Sequence, residues 1–284
     1  MSPAERLAEI IRRAEDESIR LDSLPIEKRT VYMPKECPWG VGIEECRREC
    51  KEARPVKQSN EKIMIVYDTQ PCRREIVGAQ LRSTCGLIGH EFTHTFENSI
   101  ADKENQAAML YLKKWMPNDG WIYITARKDH KNNPVGNGTG KSYAMEALVN
   151  RLCCEGIACK YIKVIDLTAR LRRSYHGGIE NEHDILRNLV EVPVLILDDI
   201  GKENLRKSGE VNEWAAEKLY YIIERRSRYE DRPIGFTSNF NLDELADRFG
   251  DNYGPAMASR IAGRCKGLDG KVRIWALGGP DRRL

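Results

Sequence analysis

No stretch of the 284 residues is apolar for long enough to cross a bilayer, and no basic segment leading into an apolar run stands near Met1. A membrane span and a secretory leader therefore drop out of the reading, and a cytoplasmic protein is expected. Charge of one sign is also scarce. With 46 Lys and Arg against 43 Asp and Glu, the net charge is +3, so contact with nucleic acid would depend on a local basic patch. Internal repeats and low-complexity tracts are missing, which sets aside solenoids and arrays. Nine cysteines occur, but never as Cys-x-x-Cys, the spacing that marks most thiolate metal knuckles.

What is present is enough chain, 41% of it hydrophobic, for one sizeable α/β core and a smaller appended module. Ser2-Pro3-Ala4-Glu5 has the order of an N-cap, a first-turn proline and a capping-box glutamate, and Leu7, Ile10, Ile11 and Ala14 follow at helical spacing. An amphipathic helix ending near Pro25 is expected, either packing on its own module or docking a partner. A cysteine-containing region then runs from Glu36 to Arg74 with an expected strand at 63–67, and a polar connector leads to His94. From Asn105 the texture changes to helices alternating with short apolar strands, expected at 121–125, 160–165, 194–197, 234–237 and 272–277. That alternation predicts an α/β fold built on a five-stranded parallel sheet covered by helices.

Gly138-Thr139-Gly140-Lys141-Ser142 opens a helix that continues through Ala144, Ala147, Leu148 and Leu152. Glycines let the backbone curl until its N–H groups point at phosphate oxygens, and a helix N-terminus adds a favourable field. Lys141 is expected to bridge the outer phosphates of ATP, and Ser142 to ligate Mg²⁺. The consensus glycine is missing at Val135, although Gly136 stands beside it, and polar residues 127–133 lengthen the usual step from strand to loop. Gly136, Gly138, Thr139, Gly140, Lys141 and Ser142 are thus the candidate nucleotide-binding residues.

Val194-Leu195-Ile196-Leu197-Asp198-Asp199 is an apolar strand ending in two carboxylates, the Walker B arrangement. Asp198 is the candidate Mg²⁺ ligand beside Ser142, and Asp199 the group that would orient or deprotonate an attacking water, with Glu203 a weaker candidate for that task. Another apolar strand ends at Asn239, whose amide suits a hydrogen bond to that water or to a terminal phosphate. Arg260 and then Arg264 are candidates for a finger reaching a neighbouring subunit's nucleotide. A P-loop kinase of small molecules would share Lys141 and Asp198 but would need neither Asn239 nor such an arginine.

In this order the motifs resemble the DnaC/DnaI replicative helicase loaders and their IstB relatives, AAA+ P-loop ATPases, over most of residues 90–284. Thr95-Phe96-Glu97-Asn98, Leu197-Asp198-Asp199-Ile200-Gly201, Ile223-Glu224-Arg225-Arg226-Ser227, Arg232-Pro233-Ile234-Gly235, Thr237-Ser238-Asn239 and Gly279-Pro280-Asp281-Arg282-Arg283 carry the likeness. The resemblance implies an AAA+ ATPase domain at 91–284, behind an N-terminal helicase-binding module and linker at 1–90. It implies ATP-dependent placement of a hexameric replicative helicase on single-stranded DNA at replication initiation, with the chain oligomeric when bound to ATP or helicase. It implies further that Arg172, Arg173 and Tyr175, on the helix before the Walker B strand, contact single-stranded DNA; cations tracking a backbone and a ring stacking on a base suit that task. Asp199 departs from the glutamate that many AAA+ proteins carry, and slow, switch-like turnover is expected of it. An IstB-like helper of DNA transposition is the alternative within the same fold.

Cys37, Cys46, Cys50 and Cys72 are candidate Zn²⁺ ligands, in a module too small to be comfortable without a staple. An iron–sulfur cluster and unliganded thiols compete with that expectation, and Cys85, His90 and His94 are lower-ranked substitutes. Cys153, Cys154 and Cys159 are expected as ordinary buried thiols.

Overall fold

The computed structural model describes residues 49–57, 63–71, 73–100, 102–129, 131, 133, 136–175, 180–202, 206–207, 210–211, 213–267 and 269–282. These fall into two compact units, one reaching to Gln80 and taking in Cys154–Gly156, the other comprising Leu81–Cys153 and Ile157 onward. Among the described residues no helix is long and apolar enough to cross a membrane. The expected N-terminal helix, Cys37, Cys46, Cys72 and Glu203 lie outside the described residues.

In the first unit, β1 (Glu49–Lys57) and β2 (Ile63–Pro71) pair antiparallel in unbroken register, from Glu49 opposite Pro71 to Lys57 opposite Ile63. The strand expected at 63–67 thus runs on to Pro71, and Cys50 stands opposite Gln70. No cluster of metal-ligating side chains occurs among the described residues. The polar connector is not a plain loop: it contains α1 (Arg73–Thr84) and a short 3-10 turn at Gly89–Thr93.

The second unit continues with α2 (Gln106–Leu112), β3 (Ile122–Ala126), α3 (Lys141–Cys154), β4 (Cys159–Lys163), α4 (Val164–Ser174), α5 (Glu182–Glu191) and β5 (Val194–Ile200). After a small antiparallel ribbon, β6 (Arg206–Lys207) with β7 (Glu210–Val211), come α6 (Glu213–Arg226), β8 (Ile234–Ser238), α7 (Leu242–Cys265) and β9 (Ile274–Leu277). The five long strands form one parallel sheet in the order β4-β5-β8-β3-β9. Every residue of β3 and β8 is buried, as expected of strands covered on both faces.

Side chains alternating along each strand feed two separate cores. Ile122, Ile124, Val194 and Ile196 join Met109 and Leu112 of α2 and Met145, Leu148 and Leu152 of α3. Tyr123, Leu195, Leu197 and Phe236 join Leu167, Leu171, Leu189, Leu219 and Ile223 from α4, α5 and α6, with Phe249 and Ile261 of α7. At that scale, each buried leucine or isoleucine adds roughly 1.5–3 kcal/mol of hydrophobic stabilisation. Cys153 and Cys159 are buried thiols, while Cys154 is only half-buried.

The strand expected at 194–197 runs on to Ile200, and β3 and β8 each shift by a residue; two further boundaries differ by more than a residue. The run at 160–165 leaves the sheet after Lys163, because Val164 is already the first residue of α4. The last strand begins at Ile274, while Val272 forms an isolated antiparallel bridge with Lys266.

Candidate nucleotide site

Strand β3 ends at Ala126 and the helix α3 begins at Lys141, so the phosphate loop has the extended lead-in read from the sequence. Buried Asn133 organises it: Nδ2 donates to Asn137 O at 2.7 Å and to Gly279 O at 3.1 Å, and Oδ1 accepts from Asn137 N at 3.1 Å. Gly136 has φ +69°, and a Cβ there would come within 2.5 Å of Ala126 Cβ. Glycine is therefore required at position 136, next to the consensus position. At Gly138, φ +62°, a Cβ would lie 1.6 Å from Asp281 Oδ1.

Lys141 is 6% exposed, and its Nζ donates to Gly136 O at 2.9 Å and to Thr139 Oγ1 at 3.3 Å. Arg282, which the sequence reading left without a role, closes over the loop. Its backbone N–H donates to Gly138 O at 3.0 Å, and its guanidinium donates to Thr139 O and Asp102 Oδ2, each at 2.5 Å.

At the end of β5, Asp198 has no exposed surface. Its Oδ1 accepts from Thr237 Oγ1 at 2.5 Å, and its Oδ2 from Ser142 Oγ at 3.2 Å and from the Tyr161 hydroxyl at 2.8 Å. Burial raises its pKa, and the Thr237 hydrogen bond opposes that rise. The pairing of β5 with β8 shifts register between Leu197 and Ile200, and within that irregularity Asp199 adopts φ +59°. Its N–H donates to Thr237 Oγ1 at 2.9 Å and its carboxylate meets Lys202 Nζ at 3.1 Å.

Asn239, one residue beyond β8, is 6% exposed and donates from Nδ2 to Asn137 Oδ1 at 3.0 Å. Its Oδ1 is buried without a hydrogen-bond partner among the described residues. Gly138, Thr139, Gly140, Lys141, Ser142, Asp199 and Asn239 face one cavity of about 450 Å³ at the C-terminal edge of the sheet, with Asp198 reached through Ser142. Lys202 and Arg282 also line it. The far wall is a collar of His90, His94, Asn98 and Ile100. Tyr143 of α3 holds this collar by donating to Thr95 O at 2.9 Å, and Asn150 by donating to Glu91 O and His94 O at 2.9 Å each.

Other sequence candidates lie elsewhere. Arg260, half-buried on α7, donates to Ala256 O at 3.2 Å, and its guanidinium lies 5.1 Å from the Tyr220 ring centroid; it is not in the cavity wall. Arg264 donates to Ser227 O and sits by Trp121, at the opposite end of the sheet. Arg172, Arg173 and Tyr175 are not on the helix before β5 as expected. They end α4, and α5 intervenes. Tyr175 and Arg172 gather around Trp214 of α6, a residue the sequence reading passed over. The Arg172 guanidinium is 5.2 Å from the Trp214 centroid, and Trp214 Nε1 donates to the Tyr175 hydroxyl at 3.4 Å. No sequence motif flags Trp214, because its partners lie some forty positions earlier in the chain.

The family model described as IstB-like ATP binding protein matches residues 130–273. The chain is 32% identical over 114 residues to the uncharacterized protein YdaV of Escherichia coli K12, covering 40% of this chain and 43% of that protein. It is 28% identical over 114 residues to the replicative helicase loader DnaC of the same strain, covering 40% and 44% respectively. The chain thus spans less than half the length of these curated relatives. Among solved structures, the crystal structure of DnaI aligns with a TM-score of 0.53 at 18% identity, over 72% of this chain and all of that one. That likeness is one of fold: an α/β architecture with a five-stranded parallel sheet.

Proposed function

This chain belongs to the family of IstB-like ATP-binding proteins, and from that premise we propose that it binds and hydrolyses ATP with Mg²⁺ in order to load a hexameric replicative helicase onto single-stranded DNA. The observation carrying the proposal is the meeting of the phosphate loop, the end of β5 and the end of β8 around one cavity. These segments are far apart in sequence, and each brings the side chain that triphosphate chemistry needs.

Backbone N–H groups of 138–142 and the α3 N-terminus would cradle the phosphates, with Lys141 as a point charge among them. Ser142 and Asp198, already joined at 3.2 Å, would hold Mg²⁺, whose chemistry is to neutralise charge on the terminal phosphates. Asp199 would orient the attacking water and accept its proton. Asn239, whose buried Oδ1 has no hydrogen-bond partner among the described residues, would accept a hydrogen bond from the same water. The Asp199–Lys202 pair is partly exposed on both sides; such pairs contribute only about 0–1 kcal/mol, so Lys202 can yield when Asp199 acts.

Similarity to a protein named as a replicative helicase loader supports the choice of partner. The cluster of Arg172, Tyr175 and Trp214, with Arg173 beside it in the sequence, supports a strand of DNA, since Tyr175 is 55% exposed and can take a base while the arginines track phosphates. Replacing Tyr175 and Trp214 together by alanine is expected to weaken binding of a labelled oligonucleotide by about tenfold or more, at one to three kcal/mol per stacked base. ATP affinity should stay as in the parent chain. Unchanged anisotropy titrations would remove the cluster from the DNA path. The loader reading itself is tested by gel filtration with a replicative helicase. Co-elution is expected with ATP and to weaken in its absence, and separate elution under both conditions would end the reading.

A further inference from the structure

Behind the cavity, side chains with no part in the chemistry above form a continuous hydrogen-bonded chain. The Tyr161 hydroxyl, on β4 and 3% exposed as a residue, lies 2.8 Å from Asp198 Oδ2 and 3.0 Å from Glu146 Oε1. Glu146, on α3 and 4% exposed, is joined through Oε2 to Nδ1 of His94. His94 stands in the collar that lines the cavity. The path therefore runs from the collar through α3 and β4 to the carboxylate at the end of β5.

The order of donors along this path is constrained. A tyrosine hydroxyl has one proton, and here it faces two carboxyl oxygens. Burial raises the pKa of Glu146, and its hydrogen bond with His94 opposes that rise. Asp198 already accepts from Ser142 and Thr237, and the Tyr161 hydroxyl is the third group at this carboxylate and the one shared with Glu146. The Asp198 carboxylate is thereby pinned at both oxygens, and one of the pins leads out to the collar.

We propose that His94, Glu146 and Tyr161 are positioning residues that fix the Asp198 carboxylate for magnesium and tie its orientation to the seating of the collar on the nucleotide. The proposal rests on the ATPase reading given above.

The test is equilibrium binding of a fluorescent ATP analogue to the full chain, titrated with Mg²⁺ from an EDTA baseline, with a thermal melt of each variant. Tyr161→Phe is expected to raise the Mg²⁺ concentration for half-maximal tightening about fivefold, as one hydrogen bond to a charged acceptor is lost, with EDTA-baseline affinity unchanged. His94→Gln, separated from Asp198 by Glu146 and Tyr161, is expected to shift it the same way by about twofold. The double variant should match Tyr161→Phe alone, because both act along one path. Additive shifts, an unmoved Mg²⁺ midpoint in either single variant, or equal weakening with and without Mg²⁺ alongside a lowered melting temperature would overturn the proposal. A parent chain that binds no nucleotide in either condition overturns the ATPase reading itself, and this inference with it.

Discussion

Lys141→Ala is expected to lower ATP affinity by about 100-fold or more, which corresponds to about 2.7 kcal/mol. The ammonium lies inside the phosphate loop, 6% exposed and 2.9 Å from Gly136 O. A cation there faces a polyanion with little water to screen it, so its removal is felt far more than that of a surface lysine. Alanine also leaves Gly136 O and Thr139 Oγ1 without this donor, yet α3 keeps its buried apolar contacts, and the fold should survive. Isothermal titration at fixed Mg²⁺, with circular dichroism to check folding, measures the effect. A folded variant that retains parental affinity would remove the nucleotide from this cavity and the proposed activity with it.

Arg226→Ala is expected to cost about 3–5 kcal/mol of unfolding free energy, because it leaves buried carbonyls without donors, seen as a fall of about 10 °C in melting temperature for a unit of this size. Arg226 ends α6 with no exposed surface. Its guanidinium donates to Leu189 O at 2.8 Å, Val190 O at 3.1 Å, Val192 O at 2.7 Å, Pro193 O at 3.1 Å and Pro233 O at 2.8 Å. Three of those carbonyls belong to the end of α5, where the last carbonyls of a helix have no N–H donors within it and the dipole favours a cation. The other two precede β5 and β8, so a single side chain ties a helix end to two central strands. Lysine keeps the charge but not the planar fork, and Arg226→Lys should recover only about half the loss. Urea denaturation of both variants provides the check; a loss below about 1 kcal/mol for alanine would mean that the carbonyls find other donors.

Neither Arg226 nor the chain from His94 to Asp198 could be read from the sequence, and the reason is the same. An arginine near the end of an amphipathic helix has the pattern of a solvated residue, and only the packing of α5 and α6 buries it. Tyr161 sits in an apolar strand, and Glu146 on the helix opened by the phosphate loop; their meeting depends on strand order, which no local spacing encodes. What was legible followed periodicity and motif. Apolar runs ending in Asp198-Asp199 and in Asn239, and Gly-rich residues opening α3, mark strand ends and a helix start by themselves. Boundaries were lost where those signals overlap. Tyr161-Ile162-Lys163-Val164-Ile165 reads as one strand because Lys163, the residue at the N-cap, has no side-chain cap hydrogen bond and gives no start signal. Likewise the polar composition of α1 gives no helical signal, and α5 separates Arg172, Arg173 and Tyr175 from the strand they are expected to precede.

The bulge at the end of β5 also decides which acid this position accepts. Aspartate enters the left-handed backbone region more readily than most side chains, whereas glutamate is seldom found there. A longer acid would gain reach at the expense of backbone comfort, so the obvious single exchange for faster turnover works against the very kink that aims the group. Evolving a quicker motor from this scaffold would mean redrawing the seam between β5 and β8 first, and changing the side chain second.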